Sequence, residues 1–252
     1  MADTANPIIT KLVSVARRLK AIAVVDGPED EKELKKFRDL NGNARLYIVS
    51  PKVKVAADDK TISAPASSYV AGVFSRINFW QSPSNQPLYG ILGTSVGISF
   101  EMDDPESTAQ QYNAMQIATL IREDGGFRVW GAKGAGSPSD SKTSQIQKVR
   151  IADAIEEAIA ASTRWAVAAG INRDFIGAVE RKVNNFFSDL IREGAIVGGE
   201  CKGDAERNTA DALARGDVYW KYSFTPTAVA ETLHFEGFNT NKYYENFGEG
   251  AQ

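Results

Sequence analysis

Apolar residues recur along this chain with two different periods, and the period predicts which segments are helix and which are strand. Near the start, Ile8, Leu12, Val15, Ala16 and Leu19 fall three and four apart with Lys11, Arg17, Arg18 and Lys20 between them. That is the stripe of an amphipathic helix, opened by Asn6-Pro7. Residues 21–25 then form a short apolar run closed by Asp26-Gly27-Pro28, the pattern of a buried strand running into a turn. A charged segment over 29–40 carries Leu34 and Phe37 as its stripe, and 45–49 is a second apolar strand. Strand, helix and strand in so short a stretch predict a βαβ-like entry segment within residues 1–60, and hence a partly parallel sheet.

Further along, Tyr69, Val70, Val73, Phe74 and Ile77 give 67–79 a weak helical period, whereas Pro83, Pro87, Gly90 and Gly93 make 80–97 irregular chain or short strand. Apolar runs at 117–121 and 127–130 flank Glu123-Asp124-Gly125-Gly126, a turn signal. Residues 131–143 are rich in Gly, Ser and Lys without a period, which predicts a long surface loop. Two longer helices follow, striped by Ile151, Ala154, Ile155, Ala158, Ile159 and Trp165, and then by Phe175, Val179, Val183, Phe186, Phe187, Leu190 and Ile191. The polar, glycine-rich segment 194–208 reads as loop.

The tail changes period. Val218, Trp220, Tyr222 and Phe224 alternate with Tyr219, Lys221 and Ser223, the signature of a strand. Thr225-Pro226-Thr227 turns the chain into a second run over 229–235 that carries Val229, Leu233 and Phe235, and Tyr243, Tyr244 and Phe247 lie beyond it. These strands form either a terminal hairpin in the local sheet or strands offered to the sheet edge of another chain. The fold class is α/β (mixed α+β), a mixed sheet flanked by helices.

Composition narrows the chemistry. Among 252 residues, 29 Lys and Arg stand against 32 Asp and Glu, so a net charge of −3 supplies no basic surface for nucleic acid or an anionic membrane. One cysteine, Cys201, excludes an internal disulfide and any zinc site built on paired cysteines. No stretch approaches the ~18 apolar residues of a membrane span, and the first residues lack the form of a targeting signal. His234 is the sole imidazole.

The sharpest catalytic pattern is Gly93-Thr94-Ser95-Val96-Gly97, which matches the G-x-S-x-G nucleophile elbow and makes an α/β serine hydrolase of Ser95 and His234 the alternative reading. An elbow needs a helix directly after the serine, and 98–103 instead alternates like a strand. Gly131, Gly134 and Gly136 stand too far from Lys142-Thr143 for a phosphate-binding loop. The acidic cluster Glu101, Asp103, Asp104 and Glu106 lacks the spacing of a calcium loop. No catalytic, cofactor-binding or metal-ligating set is expected.

The order of short motifs resembles the contractile-tail sheath proteins of P2-like myophages and R-type pyocins. Residues 120–131, LIREDGGFRVWG, are similar to that family's "LIR-DG-FR-WG" signature, and Trp165-Ala166-Val167 to its "WAV". Gly198-Gly199-Glu200-Cys201 resembles a "DGEC" segment, Tyr222-Ser223-Phe224-Thr225-Pro226 a "YDYTP" strand end, and 85–93 an "N-x-x-x-x-G-[IV]-x-G" region that gives the elbow pattern a non-catalytic reading. The segment 132–148 departs from the family.

The resemblance implies a structural subunit without cofactors, covering 1–252 as the conserved tube-proximal C-terminal domain, with a C-terminal strand arm at 217–252. It also implies a chain short for the family, lacking an N-terminal arm and peripheral part. Its implied partners are other sheath subunits in stacked six-fold rings, the inner tail tube, and baseplate and tail terminator proteins, with neither nucleic acid nor membrane insertion. The implied place is a virion tail or phage-tail-like particle assembled in the bacterial host cytoplasm. Val218, Trp220, Tyr222, Phe224, Val229, Leu233, Phe235, Tyr243, Tyr244 and Phe247 become candidates for the intersubunit sheet. Arg181, Lys182, Asp189, Arg192 and Glu193 become candidates for the tube-facing surface.

Overall fold

A computed structural model describes residues 6–247, with the backbone alone over 245–247. Helix α1 (Pro7–Arg18) starts as its sequence predicts: Asn6 accepts a hydrogen bond from the Ile8 N–H, Pro7 occupies the first turn, and Arg17 and Arg18 complement the C-terminal dipole. Strand β1 (Ala23–Asp26), helix α2 (Glu31–Leu40, capped by Asp30) and strand β2 (Leu46–Val49) realise the βαβ unit, with Ala23 opposite Leu46 in a parallel ladder.

β2 is the centre of this layer. Its carbonyls alternate in direction, so Arg45 accepts from Ala23 of β1 and Val49 from Gly27 just after it, while Leu46 accepts from the Ala135 N–H and Ile48 from the Ala118 N–H on the other edge. With neighbours on both edges and core on both faces, all four residues of β2 are fully buried.

Hairpin β3 (Val53–Ala57) and β4 (Lys60–Ala64) follows, then α3 (Ala66–Arg76), β5 (Pro87–Leu88), β6 (Gly93–Thr94) and α4 (Thr108–Ala114). β7 (Thr119–Glu123) and β8 (Gly126–Trp130) pair antiparallel across Asp124 and Gly125, both at positive φ, the two-residue turn that favours Asp-Gly. The strands are grouped β1-β2, β4-β3-β6 and β5-β8-β7, with a further two-stranded ladder of β9 (Ile196–Gly203) and β10 (Trp220–Pro226), so the mixed α+β class holds with the sheet divided into short ladders.

The glycine-rich stretch after β8 is no surface loop over its first half. Residues 131, 132 and 134–136 are buried, because the backbone lies flat against the free edge of β2. A Cβ on Gly134 would sit 2.8 Å from the Ala44 carbonyl oxygen, and one on Gly136 would sit 3.0 Å from the Ala44 Cα. The glycines permit a close backbone approach. Gly134→Ala is therefore expected to lower the unfolding free energy by about 1–3 kcal/mol, measured by urea denaturation. Gly97→Ala, where a Cβ meets nothing within 4 Å, is the control.

Helix α5 (Ile146–Ser162) and α6 (Phe175–Arg192) enclose a core of Ile151, Ile155, Val179, Val183, Phe187 and Leu190. β9 (Ile196–Gly203), the short α7 (Ala210–Ala214) and β10 (Trp220–Pro226) complete the folded part, and a 3-10 helix spans Lys242–Phe247. The expectation of loop over 194–208 is corrected: its first half is the strand that pairs with β10, and Cys201 is buried on it.

Candidate assembly surface

The ladder at the C-terminal end is built on α6. Residues of α6 spaced four apart, Phe175, Val179, Val183 and Phe187, face inward, and β9 lies across them. Gly199 makes the close approach possible, since a Cβ there would come within 3.0 Å of the Phe187 ring. Polar side chains fix the register. The Asn184 amide donates to the Cys201 carbonyl at 2.9 Å and accepts from its N–H at 2.8 Å, and Glu180 accepts from the Gly203 N–H. Burial, helped by the Glu180 charge, pushes the Cys201 thiol above its ordinary pKa, so it is a packed apolar group rather than a thiolate.

β10 pairs antiparallel with β9, Trp220 opposite Gly203 and Thr225 opposite Gly198. Asp204, at the turn of this ladder, is buried, which alone would raise its pKa. The hydrogen bond and charge of Lys221 at 3.0 Å, with the N–H groups of Arg207 and Glu206, outweigh that and hold the carboxyl below its usual range. Among the described residues β9 and β10 each have one strand partner, the other; Asn184 and Glu180 occupy the outer edge of β9 over 201–203, and the outer edge of β10 has no strand beside it.

The tail after β10 departs from the expected strand. The Thr227 N–H and hydroxyl donate to the carbonyls of Ala195 and Gly194. Val229 is then held by a side chain: the Gln145 amide donates to the Val229 carbonyl at 2.9 Å and accepts from its N–H at 3.1 Å. Gln145 also donates to Glu231 at 2.6 Å, and Lys133 pairs with Glu231 at 2.9 Å. Past this clamp no strand forms over 229–235, and the internal-hairpin alternative is overturned because β10 takes β9 as its partner. Leu233 is 69% exposed, Phe235 88% and Phe238 83%, and Tyr243 and Tyr244 are exposed as well. Of the strand candidates, Trp220, Tyr222 and Phe224 lie on β10, Val218 just before it, Val229 in the clamp, and Leu233 and Phe235 on the unpaired arm. The side chain of Phe247 lies outside the described residues.

Four of the charged candidates lie on α6 and Glu193 caps its C-terminus; all five are exposed. Arg181 pairs with Asp174 at 2.8 Å and Arg192 with Asp189 at 2.9 Å, both in open solvent, while Lys182 and Glu193 flank them.

The elbow pattern does not make a nucleophile. Ser95 follows β6 directly, no helix comes after it, and its hydroxyl donates to Glu29 at 2.5 Å rather than to an imidazole. The strand expected over 98–103 is absent as well. His234 is exposed on the arm. No helix among the described residues is long and apolar enough to cross a membrane, and they hold no cluster of three or more His, Cys, Asp or Glu suited to a metal ion.

Comparison with known proteins sets this ladder and the exposed apolar segment after it in a family. The family model for the phage tail sheath protein central domain matches residues 1–135, and that for the phage tail sheath C-terminal domain matches 138–240. The chain belongs to the phage tail sheath protein family, whose members are structural and not enzymes.

Among its relatives, a prophage major tail sheath protein of Pseudomonas aeruginosa strain UCBPP-PA14 is 37% identical over 90% of this chain and 60% of its own length. The tail sheath protein of Burkholderia phage BcepMu is 30% identical over 95% of this chain and 54% of its own. The chain thus spans between half and two thirds of the length of these relatives. In fold it matches the sheath complex of an extracellular contractile injection system in the contracted state, with a TM-score of 0.78 at 18% identity, over 95% of this chain and 70% of the other. A chain of the anti-feeding prophage baseplate matches with a TM-score of 0.74 at 20% identity, over 92% and 64%.

Proposed function

We propose that this chain forms the tube-proximal part of a contractile sheath subunit, which polymerises in six-fold rings around an inner tube and contracts to drive that tube through a target envelope. The observation that carries the proposal is the exposed apolar arm beyond Glu231, set beside a β9–β10 ladder whose β10 edge has no strand partner. An alternating apolar segment without an edge of its own gains backbone hydrogen bonds by adding to an edge on another subunit. A joint made this way lets rings rotate against one another without parting, because the arm bends while its docked strand stays paired.

The outward face of α6 is the proposed contact with the tube. Exposed ion pairs such as Arg181–Asp174 and Arg192–Asp189 stabilise the free chain by at most ~1 kcal/mol each, so exchanging them for charges on a tube costs little. Baseplate and terminator proteins would cap the stack, in a phage tail or phage-tail-like particle assembled in the host cytoplasm.

Truncation after Thr232, in the sheath subunit that carries this chain, is the test. The melting temperature should stay where it is, because the described residues among those removed, 233–244, are all exposed, while sheath formation seen by electron microscopy is lost. Sheaths of normal length from the truncated subunit would refute the proposal.

A further inference from the structure

At the end of the molecule opposite the arm's root, an open groove of about 590 Å³ lies between the C-terminal turn of α5, the loop over 163–171, the first turns of α6 and the start of β10. Its walls include Ile159, Ala166, Val179, Trp220 and Tyr222. They offer little to a polar ligand, because the Thr163 hydroxyl is spent on the Ile159 carbonyl at 2.7 Å and the Trp220 indole N–H on the Ile176 carbonyl at 3.3 Å. A cavity of this size with apolar walls and few free polar groups suits apolar side chains.

The same chain carries such side chains on its arm, and the geometry keeps them from their own groove. Gln145, which clamps Val229 and Glu231, stands directly before α5, whereas Ile159 and Thr163 lie at the helix's far end. Fourteen residues of helix separate Gln145 from Ile159, about 21 Å at 1.5 Å per residue. Phe235 is four residues beyond Glu231, a reach of at most about 14 Å for extended chain. Phe238 would reach only by lying straight along α5, and it is 83% exposed instead.

We propose that the groove is the receptor for Phe235 and Phe238 of a second copy of this chain. The inference rests on the arm-exchange reading above and adds to it the place where the arm's side chains are anchored. The clamp holds the arm at one end of its own domain and the groove opens at the other, so each copy receives an arm at one end and gives one at the other. That is a head-to-tail relation, which builds a ring or a helix rather than a closed pair. Tyr222, on β10 and in the groove wall, joins the two elements: an arm running beside β10 would carry its aromatic residues into the groove.

The test replaces Phe235, or Phe238, by photoreactive p-benzoylphenylalanine in the intact subunit under assembly conditions. Copies with and without heavy-isotope labels are mixed so that adducts between copies are told from adducts within one. The expected result is adducts between copies on peptides covering residues 159–183, reduced about tenfold when Ala169→Trp fills the groove. Adducts between copies confined to other parts of the β9–β10 ladder would overturn the groove and leave strand exchange standing. Adducts within one copy, adducts to another protein, or no adducts would also overturn it. If the subunit truncated after Thr232 assembles as well, the arm-exchange reading falls independently.

Discussion

Phe187→Ala is expected to lower the unfolding free energy by about 3–5 kcal/mol, with loss of the β9–β10 ladder at temperatures where the parent chain is folded. The ring is 1% exposed and sits where three elements meet. It belongs to the inward stripe of α6, fills the space that Gly199 leaves open on β9, and lies 6.3 Å from the Tyr222 ring on β10. Truncation leaves a cavity that cannot readily collapse, because β9 is fixed to α6 just beyond the contact by Asn184 and Glu180. Trp220 lies on the affected ladder, so its fluorescence in urea denaturation reports the loss directly. Phe186→Ala, one position earlier and half-buried, should cost about 1 kcal/mol. Equal costs for the two variants would show that the ladder is not held through Phe187.

How far the fold was legible depends on what each residue's neighbours contribute. The helices α5 and α6 and strand β2 were legible because their own side chains make the burial: a stripe or an unbroken apolar run states its need for a core without help. The β7–β8 hairpin was legible because Asp124-Gly125 supplies the backbone conformation locally. β9 was not. Its Gly198-Gly199 reads as loosening, yet Gly199 is the position where another element's ring comes closest, and that ring is far away in sequence. The stretch 131–136 misleads for the same reason, since its glycines answer to the backbone of Ala44. β3 and β4 are short and charged, and β4 has no buried residue to mark it.

The candidate site divides along the same line. Alternation over 218–224 correctly predicted a strand, but its partner lies upstream in a segment that looked like loop. Alternation over 229–235 is real in the sequence and unmatched within the chain, because a two-residue period says that a strand wants an edge and not whose edge it is. The Gln145 clamp left no signal at all: an amide that imitates a neighbouring strand for a single residue has no period. The five charges on α6 and at its C-cap were legible as an exposed face, and their ion pairs follow from helical spacing only for Asp189 and Arg192.

Asp153→Ala is expected to lower the unfolding free energy by about 3 kcal/mol, while the double variant Arg45→Met with Asp153→Leu recovers most of it. Asp153, on α5, accepts both guanidinium donors of Arg45, which directly precedes β2; one of these bonds measures 2.6 Å. The carboxylate side chain is 8% exposed and the guanidinium 19%. Removing one partner leaves the other charge desolvated and alone, which costs more than the pair contributes, whereas replacing both by apolar groups removes the charge from the interior altogether. The Lys20–Glu156 pair at 2.8 Å sits one turn along the same helix but is more exposed, so Glu156→Ala should cost under ~1 kcal/mol. Arg45 and Lys20 lie in the part of the chain that matches the sheath central domain, and Asp153 and Glu156 in the part that matches the C-terminal domain. Among the described residues the Arg45–Asp153 pair is the most buried ion pair between the two, beside Lys20–Glu156 and Lys133–Glu231. If it couples them, Asp153→Ala will split a single urea transition into two, read by Trp130 on β8 and by Trp220 on β10; one unsplit transition with an unchanged midpoint would show that apolar packing alone joins them.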